Sequence, residues 1–581
     1  MKSNIGFKFL FVFVVSLIIG TAHSFSQSTN DSTKIDKSKS NGKGNAKREK
    51  NGAGDEEVEL IRPYQPTLSD GYKISNSPQI EQTKLDIPKM TYSITSTSFP
   101  TGYDVQPINP IKMKDDKAEP LPGNLVKLGY GNYNNALADI FLNTNSNKEY
   151  TIGAHLKHFS SDGSNSSAFS GNLSNDMISV YGKRFLDNET ISSELNYQRN
   201  SFHFYGVPPE SDTSIHYIFR ETNGHQVYNH FDANVGFQSN NIDKTKFYHD
   251  LNLKFYSISD NYNTKENGIL IKGLIKQPNS KGNWVGADFL LDYSGLNQDS
   301  SKNQSNTVIG IAPQYGFKEG DLNISFGANG ELENHNGTSK MHLYPKIDFN
   351  FSGDIIVLYA AVSGGVMKNT FNSLTNENHF INPNLKIDNS NDKKDGLLGI
   401  KGSLSNTISF NLSGRYSDIN NMSLFGNDSI HVIPLNFNVV YDNVQVINGH
   451  AELSYQQSEN IRFILNADYY HYKTSTQQFA WYKPGLDVKL TGICNIDEHF
   501  TLKADIFVLA DRHGLLYSNT NEEIAVNLQT ITDFNFGVVY HYTKPLSFFL
   551  NLNNISSQQY QLWYQYPVQG FNVLGGFSYA F

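Results

Sequence analysis

A single cysteine, Cys494, three tryptophans and a low share of charged residues, 18%, mark this sequence of 581 residues by what it has little of. One cysteine excludes an intramolecular disulfide. Hydrophobic residues reach only 38%, and a soluble globular domain usually carries more of both classes. The net charge of -9 is spread along the chain, so there is no basic field of the kind that holds nucleic acid. Beyond residue 20 no continuous apolar run is long enough for a membrane helix. No G-x-S-x-G elbow occurs, and no phosphate-loop or dinucleotide fingerprint falls in a strand-turn-helix context. These absences leave no catalytic residue, cofactor or metal to assign, and the chain is not expected to be an enzyme.

Aromatic residues are abundant: 33 Tyr and 38 Phe. Disorder depletes aromatics, so a folded chain of half-apolar strands is expected. At the N-terminus, Lys2 and Lys8 precede the apolar stretch Phe9–Gly20 and the small residues Ser24 and Ser26. This is the pattern of a secretory signal peptide over residues 1–26, with no cysteine for a lipid anchor. Residues 27–120 begin with a basic and then an acidic run, and continue with scattered prolines. They read as a flexible or extended segment that faces the periplasm and cannot form a core alone.

From about residue 121 to 581 the pattern has period two. Phe247, Leu251, Leu253 and Phe255 share one face, with Asp250, Asn252 and Lys254 on the other. Ile461, Phe463, Leu465, Ala467 and Tyr469 oppose Arg462, Asn466 and Asp468, while Leu486, Val488 and Leu490 oppose Asp487 and Lys489. A soluble sandwich alternates in the same way. Connection lengths separate the two folds. Short turns such as 318–320 and 495–497 alternate with long stretches at 205–224, 368–394, 418–442, 512–529 and 555–569. That alternation, with about 22 strands, predicts an all-β fold: one antiparallel transmembrane barrel of the bacterial outer membrane, in contact with its lipid. The closing strand presents Phe571, Val573, Phe577, Tyr579 and Phe581 to lipid, and Asn572, Ser578 and Ala580 to the lumen.

The stretch from Leu546 to Phe581, with Asn553, Asn554, Tyr560, Tyr566, Pro567 and Gly570 in place, resembles the C-terminal end of TonB-dependent outer-membrane receptors. Val126–Asn143 is similar to the opening hairpin of plugless relatives. The resemblance implies a channel or transporter for solutes. Those receptors carry a folded plug of well over a hundred residues before the barrel, and here residues 27–120 take its place without a plug-like pattern. Asp55, Glu56, Glu57, Val58, Arg62, Pro63 and Tyr64 form the candidate partner-contact segment. They stand where a TonB-type protein, or another periplasmic or outer-membrane protein, would dock. The alternative reading is a structural subunit of an outer-membrane complex, anchored by its barrel. His155 and His158 have a helical metal spacing, but in a strand they point to opposite faces. His471 among tyrosines reads as interfacial packing, and Lys34–Lys50 as a solvated linker.

Overall fold

Half-apolar alternation makes strands only where every backbone group finds a partner, and here the chain meets that demand by closing on itself. The computed structural model describes residues 123–144, 149–163, 171–206, 224–240, 246–299, 303–427, 436–517 and 522–581. The first strands are β1 (Leu125–Gly131), β2 (Ala136–Asn143), β3 (Tyr150–Ser161), β4 (Leu173–Phe185), β5 (Glu189–His203) and β6 (His225–Ser239). Then come β7 (Tyr248–Asp260), β8 (Lys265–Pro278), β9 (Trp284–Asn297), β10 (Gln304–Glu319), β11 (Leu322–His335), β12 (Thr338–Ser352) and β13 (Ile356–Met367). A short helix, α1 (Phe371–Glu377), precedes β14 (Ser390–Ser405), β15 (Ile408–Asn427), β16 (Phe437–Gln456), β17 (Ile461–Thr474), β18 (Leu486–Ile496) and β19 (Phe500–Ala510). The last are β20 (Arg512–Tyr517), β21 (Glu523–Leu528), β22 (Ile531–His541), β23 (Leu546–Asn553), β24 (Gln561–Trp563), β25 (Tyr566–Pro567) and β26 (Asn572–Ala580).

All of these except β20–β21 and β24–β25, which form two small hairpins, belong to one 22-stranded sheet. Its ends meet: β1 pairs antiparallel with β26, Leu125 opposite Ala580 and Gly131 opposite Leu574. Beyond the ladder, Asn124 and Phe581 exchange both backbone hydrogen bonds, at 3.1 and 3.0 Å. Closure leaves the main sheet no free edge. The all-β closed barrel expected from the sequence is the observed fold.

The pairing register separates the two faces. One cross-strand row reads Tyr579, Val126, Ile140, Leu156, Ile178, Tyr197, Phe231, apolar throughout. Large side chains of this set are exposed, among them Leu195, Leu253, Leu343 and Phe577. They face outward as an apolar band. Toward the β1–β2 end the same face turns polar at His158, Asp176, Arg199 and Asn229. An inward row reads Lys401, Asn411, Glu452, Asn466, Lys489. The lumen is polar and its charges are mixed in sign, with Lys254 on Asp232 at 2.8 Å and Arg415 on Asp395 at 2.6 Å. His155 pairs inward with Asp139 and His158 outward with Asp176, each at 2.6 Å, so the two histidines share nothing.

At the strand level two expectations need correction. Residues 418–442 are not a loop, because β15 runs on to Asn427 and β16 begins at Phe437. The extension was hidden by a bulge between Ile419 and Met422, where Asn421 takes a positive φ of 57° and the alternation slips. Residues 368–394 are also not an external loop. β14 starts at Ser390, and what precedes it folds inward.

Candidate functional site

The long connections all leave the same end of the barrel, and there they close it. Thr370 caps α1: its hydroxyl accepts from Ser373 N, and the Ser373 hydroxyl accepts from Thr370 N, a reciprocal pair that fixes the first turn. The helix N-terminus docks on Glu266 of β8. That carboxylate, 1% exposed, accepts from Phe371 N at 2.8 Å, Asn372 N at 3.1 Å and the Tyr256 hydroxyl at 3.0 Å. A carboxylate at a helix start meets both the unpaired N–H groups and the positive end of the dipole.

From α1 the chain crosses the lumen. His379 O accepts from the Tyr228 hydroxyl of β6 at 3.0 Å. Pro383 O accepts from Thr264 Oγ1 at 3.2 Å and from Gln298 Nε2 at 2.7 Å. On the opposite wall Phe437 N donates to Phe380 O and Asn382 N to Phe437 O, both at 3.0 Å, where β16 begins. β6 and β16 stand ten positions apart in a ring of 22 strands. A segment tied to both spans the barrel. Residues 368–389 are therefore a lid across the lumen.

Three further connections complete it. In residues 475–485 the Asp442 carboxylate accepts the N–H groups of Ser475, Thr476 and Gln477 at 2.9 to 3.1 Å, which seats Trp481 inward with no exposed surface. Lys483 makes an ion pair with Glu377 at the end of α1. Leu515 arrives from the β20–β21 hairpin, and Trp563 and Tyr566 from the connection before β26. Phe371, Ile381, Phe425 and Phe437 pack with them into one apolar cluster. Each such side chain contributes about 1.5–3 kcal/mol when fully buried. Arg512, 3% exposed, spends its guanidinium on the carbonyls of Leu562, Gln561 and Gln529, at 3.0, 2.9 and 3.4 Å. Burial lowers its pKa to about 10. Burial likewise raises Tyr205 beside the lid to about 12.

Under the lid, against the wall made by β3–β6, β22, β23 and β26, lies a cavity of about 690 Å³. Small-molecule pockets run from about 300 to 1,000 Å³. Aromatic rings, Tyr228, Phe380, Tyr560, Trp563 and Tyr566, cover part of its lining, and amides of Asn175, Gln198, Asn200, Asn553 and Asn572 much of the rest. No lysine or arginine lines it among the described residues.

The residues singled out in the sequence divide as follows. In β26, Phe577 lies opposite Leu128 and Phe548, and Tyr579 opposite Val126 and Leu546. Phe571, Phe577, Tyr579 and Phe581 are exposed, and Val573 is half-buried opposite Leu552. Asn572 is on the inner side, where it lines the cavity. The candidate partner-contact residues Asp55 to Tyr64, the signal peptide and residues 27–120 lie outside the described residues. Sequence reasoning missed Glu266, Asp442 and which connection forms the lid. One signal was present: Trp563 falls in 555–569, read as an external connection, where an indole has little reason to be unless it is covered.

No family model and no curated protein matches the sequence. Solved structures do match the fold. The FrpB iron transporter from Neisseria meningitidis superposes with a TM-score of 0.62 at 10% identity, over 80% of this chain and 82% of that one. The ferripyoverdine receptor of the outer membrane of Pseudomonas aeruginosa gives 0.60 at 11%, over 80% and 72%. The ferric-catecholate import receptor Fiu from Escherichia coli K12 gives 0.58 at 10%, over 80% and 82%. This chain has the fold of the TonB-dependent receptors.

Proposed function

We propose that the protein is an outer-membrane channel or transporter for solutes whose lumen is gated by its own inward-folded loops. The observation that carries the reading is the lid: a ring of 22 strands would leave a wide aqueous pore, and residues 368–389 are bolted across it from wall to wall. A barrel serving only as an anchor has no need of a cavity beneath such a lid. The outward band, with Phe571, Val573, Phe577, Tyr579 and Phe581 at its seam, sits in the bacterial outer membrane, reached by way of the signal peptide over residues 1–26. Residues 27–120 face the periplasm, with Asp55–Tyr64 as the contact for a TonB-type or other envelope protein. Transport, not catalysis, is the activity.

The test is single-channel conductance of the purified protein in planar bilayers, with and without residues 27–118. Brief large openings above a mostly closed baseline support the reading. A barrel that never conducts in either form, while deletion releases a co-purifying envelope protein, favours the anchor instead.

A further inference from the structure

The cavity under the lid has a chemistry that neither the barrel nor the lid requires. We propose that it is the binding site of a neutral, polyhydroxylated solute, a short oligosaccharide. The inference rests on the transport reading and names its substrate class.

The lining combines two kinds of surface. Rings supply flat apolar surface: Tyr560 and Trp563 line the cavity half-buried, while Tyr566 and Phe380, stacked with centroids 3.7 Å apart, are themselves buried beside them. The C–H face of a pyranose packs on such a platform through apolar contact. On the β4–β5 wall of the same cavity, Asn175, Gln198 and Asn200 form a hydrogen-bonded amide group, with Gln198 Nε2 on Asn200 Oδ1 at 3.1 Å. An amide both donates and accepts, as does each hydroxyl of a sugar, so the two match without net charge.

Charge decides against an anion. No cationic side chain lines the cavity among the described residues, and nearby Arg512 gives its two terminal nitrogens to three backbone carbonyls, its buried Nε having no partner among the described residues. The carboxylate in the lining is Asp533. Its Oδ2 accepts from the Tyr560 hydroxyl at 2.7 Å, and its fully buried Oδ1 has no hydrogen-bond partner among the described residues. A buried carboxylate oxygen left unpaired is costly. The negative charge of Asp533 in the lining repels a carboxylate or catecholate ligand and leaves a neutral one free to enter.

The test uses the full-length protein in detergent at neutral pH, titrated with maltotriose, cellotriose and triacetylchitotriose, and with a ferric tris-catecholate as the anionic probe. Titration calorimetry reads binding, and tryptophan fluorescence reads its place. Of the three indoles, Trp563 alone lines the cavity, Trp481 is fully buried, and Trp284 stands at the β8–β9 turn on the opposite end. At least one trisaccharide should bind and change the emission. Trp563→Phe should abolish the emission change and weaken binding, because it trims the platform, and Gln198→Ala should weaken binding severalfold by removing an amide partner. Heat-modifiable migration on gels checks that both variants are folded. The proposal is overturned if no trisaccharide binds, if the ferric tris-catecholate binds more tightly than all three, or if binding leaves Trp563 unaffected. Such a failure would leave the conductance result standing, so it is distinguishable from failure of the transport reading.

Discussion

Removing the Glu266 carboxylate should loosen the lid without loosening the barrel. Glu266→Ala deletes an acceptor of three hydrogen bonds, leaving Phe371 N, Asn372 N and the Tyr256 hydroxyl without it. Hydrogen bonds to a charged group are worth about 1.5–3 kcal/mol each, and they are not additive within one group. Water reaching the freed N–H groups in the open state offsets part of the loss. A net weakening of lid docking by about 3 kcal/mol is the expectation, which is roughly a hundredfold in the opening equilibrium. Native-state hydrogen exchange read by mass spectrometry resolves this. Peptides covering α1 and residues 378–389 should lose about two decades of protection, while those in β8 and β9 keep theirs because the ring remains closed. Glu266→Gln retains one acceptor oxygen and should fall between. Unchanged protection of residues 371–389 in Glu266→Ala would refute the claim that this carboxylate bolts the lid.

Leu253→Arg or Phe463→Arg, on the outward band, should each cost about 2–4 kcal/mol in lipid, while the same change at inward Asn252 or Asn466 is mild; equal costs on the two faces, measured by denaturant titration in bilayers, would contradict the register. Gly576→Val should block closure of the seam, because its added Cβ would stand 2.0 Å from the Leu128 carbonyl oxygen; a variant that keeps normal heat-modifiability would show that the seam can shift. Tags inserted in the connection after β5 should be labelled on intact cells and tags at 318–320 should not. A tag within residues 375–387 should fail to label or should disrupt the lid, since Thr375, Phe380, Ile381, Leu385 and Ile387 are buried.

The barrel was readable in the sequence because each strand carries its own signal. Alternation at Leu251, Leu253 and Phe255 needs no knowledge of distant residues, and turn lengths supply the topology. The signal fails where a strand rises beyond the apolar band. In residues 418–427 neither face must be apolar, a bulge shifts the period, and the strand looks like a loop. The lid was unreadable for a different reason. Its apolar residues are few in any one connection, and α1 has only 7 residues, too short for helical periodicity. Phe371, Phe437, Trp481 and Trp563 become a core only when four connections from around the ring meet. Glu266 follows the same logic: the sequence shows a glutamate at the start of a strand, and its role is defined by Phe371 and Asn372, more than a hundred residues away.

The central claim is that the loops, and not the barrel wall, close the lumen. Planar-bilayer recording of the wild-type protein beside the double variant Glu266→Ala, Lys483→Ala, which removes the Glu266 bolt and the ion pair to Glu377, tests it directly. The wild type should stay mostly closed with rare brief openings, and the double variant should hold a large conductance for much of the record. Identical records from the two folded proteins, both closed or both open, would contradict the account.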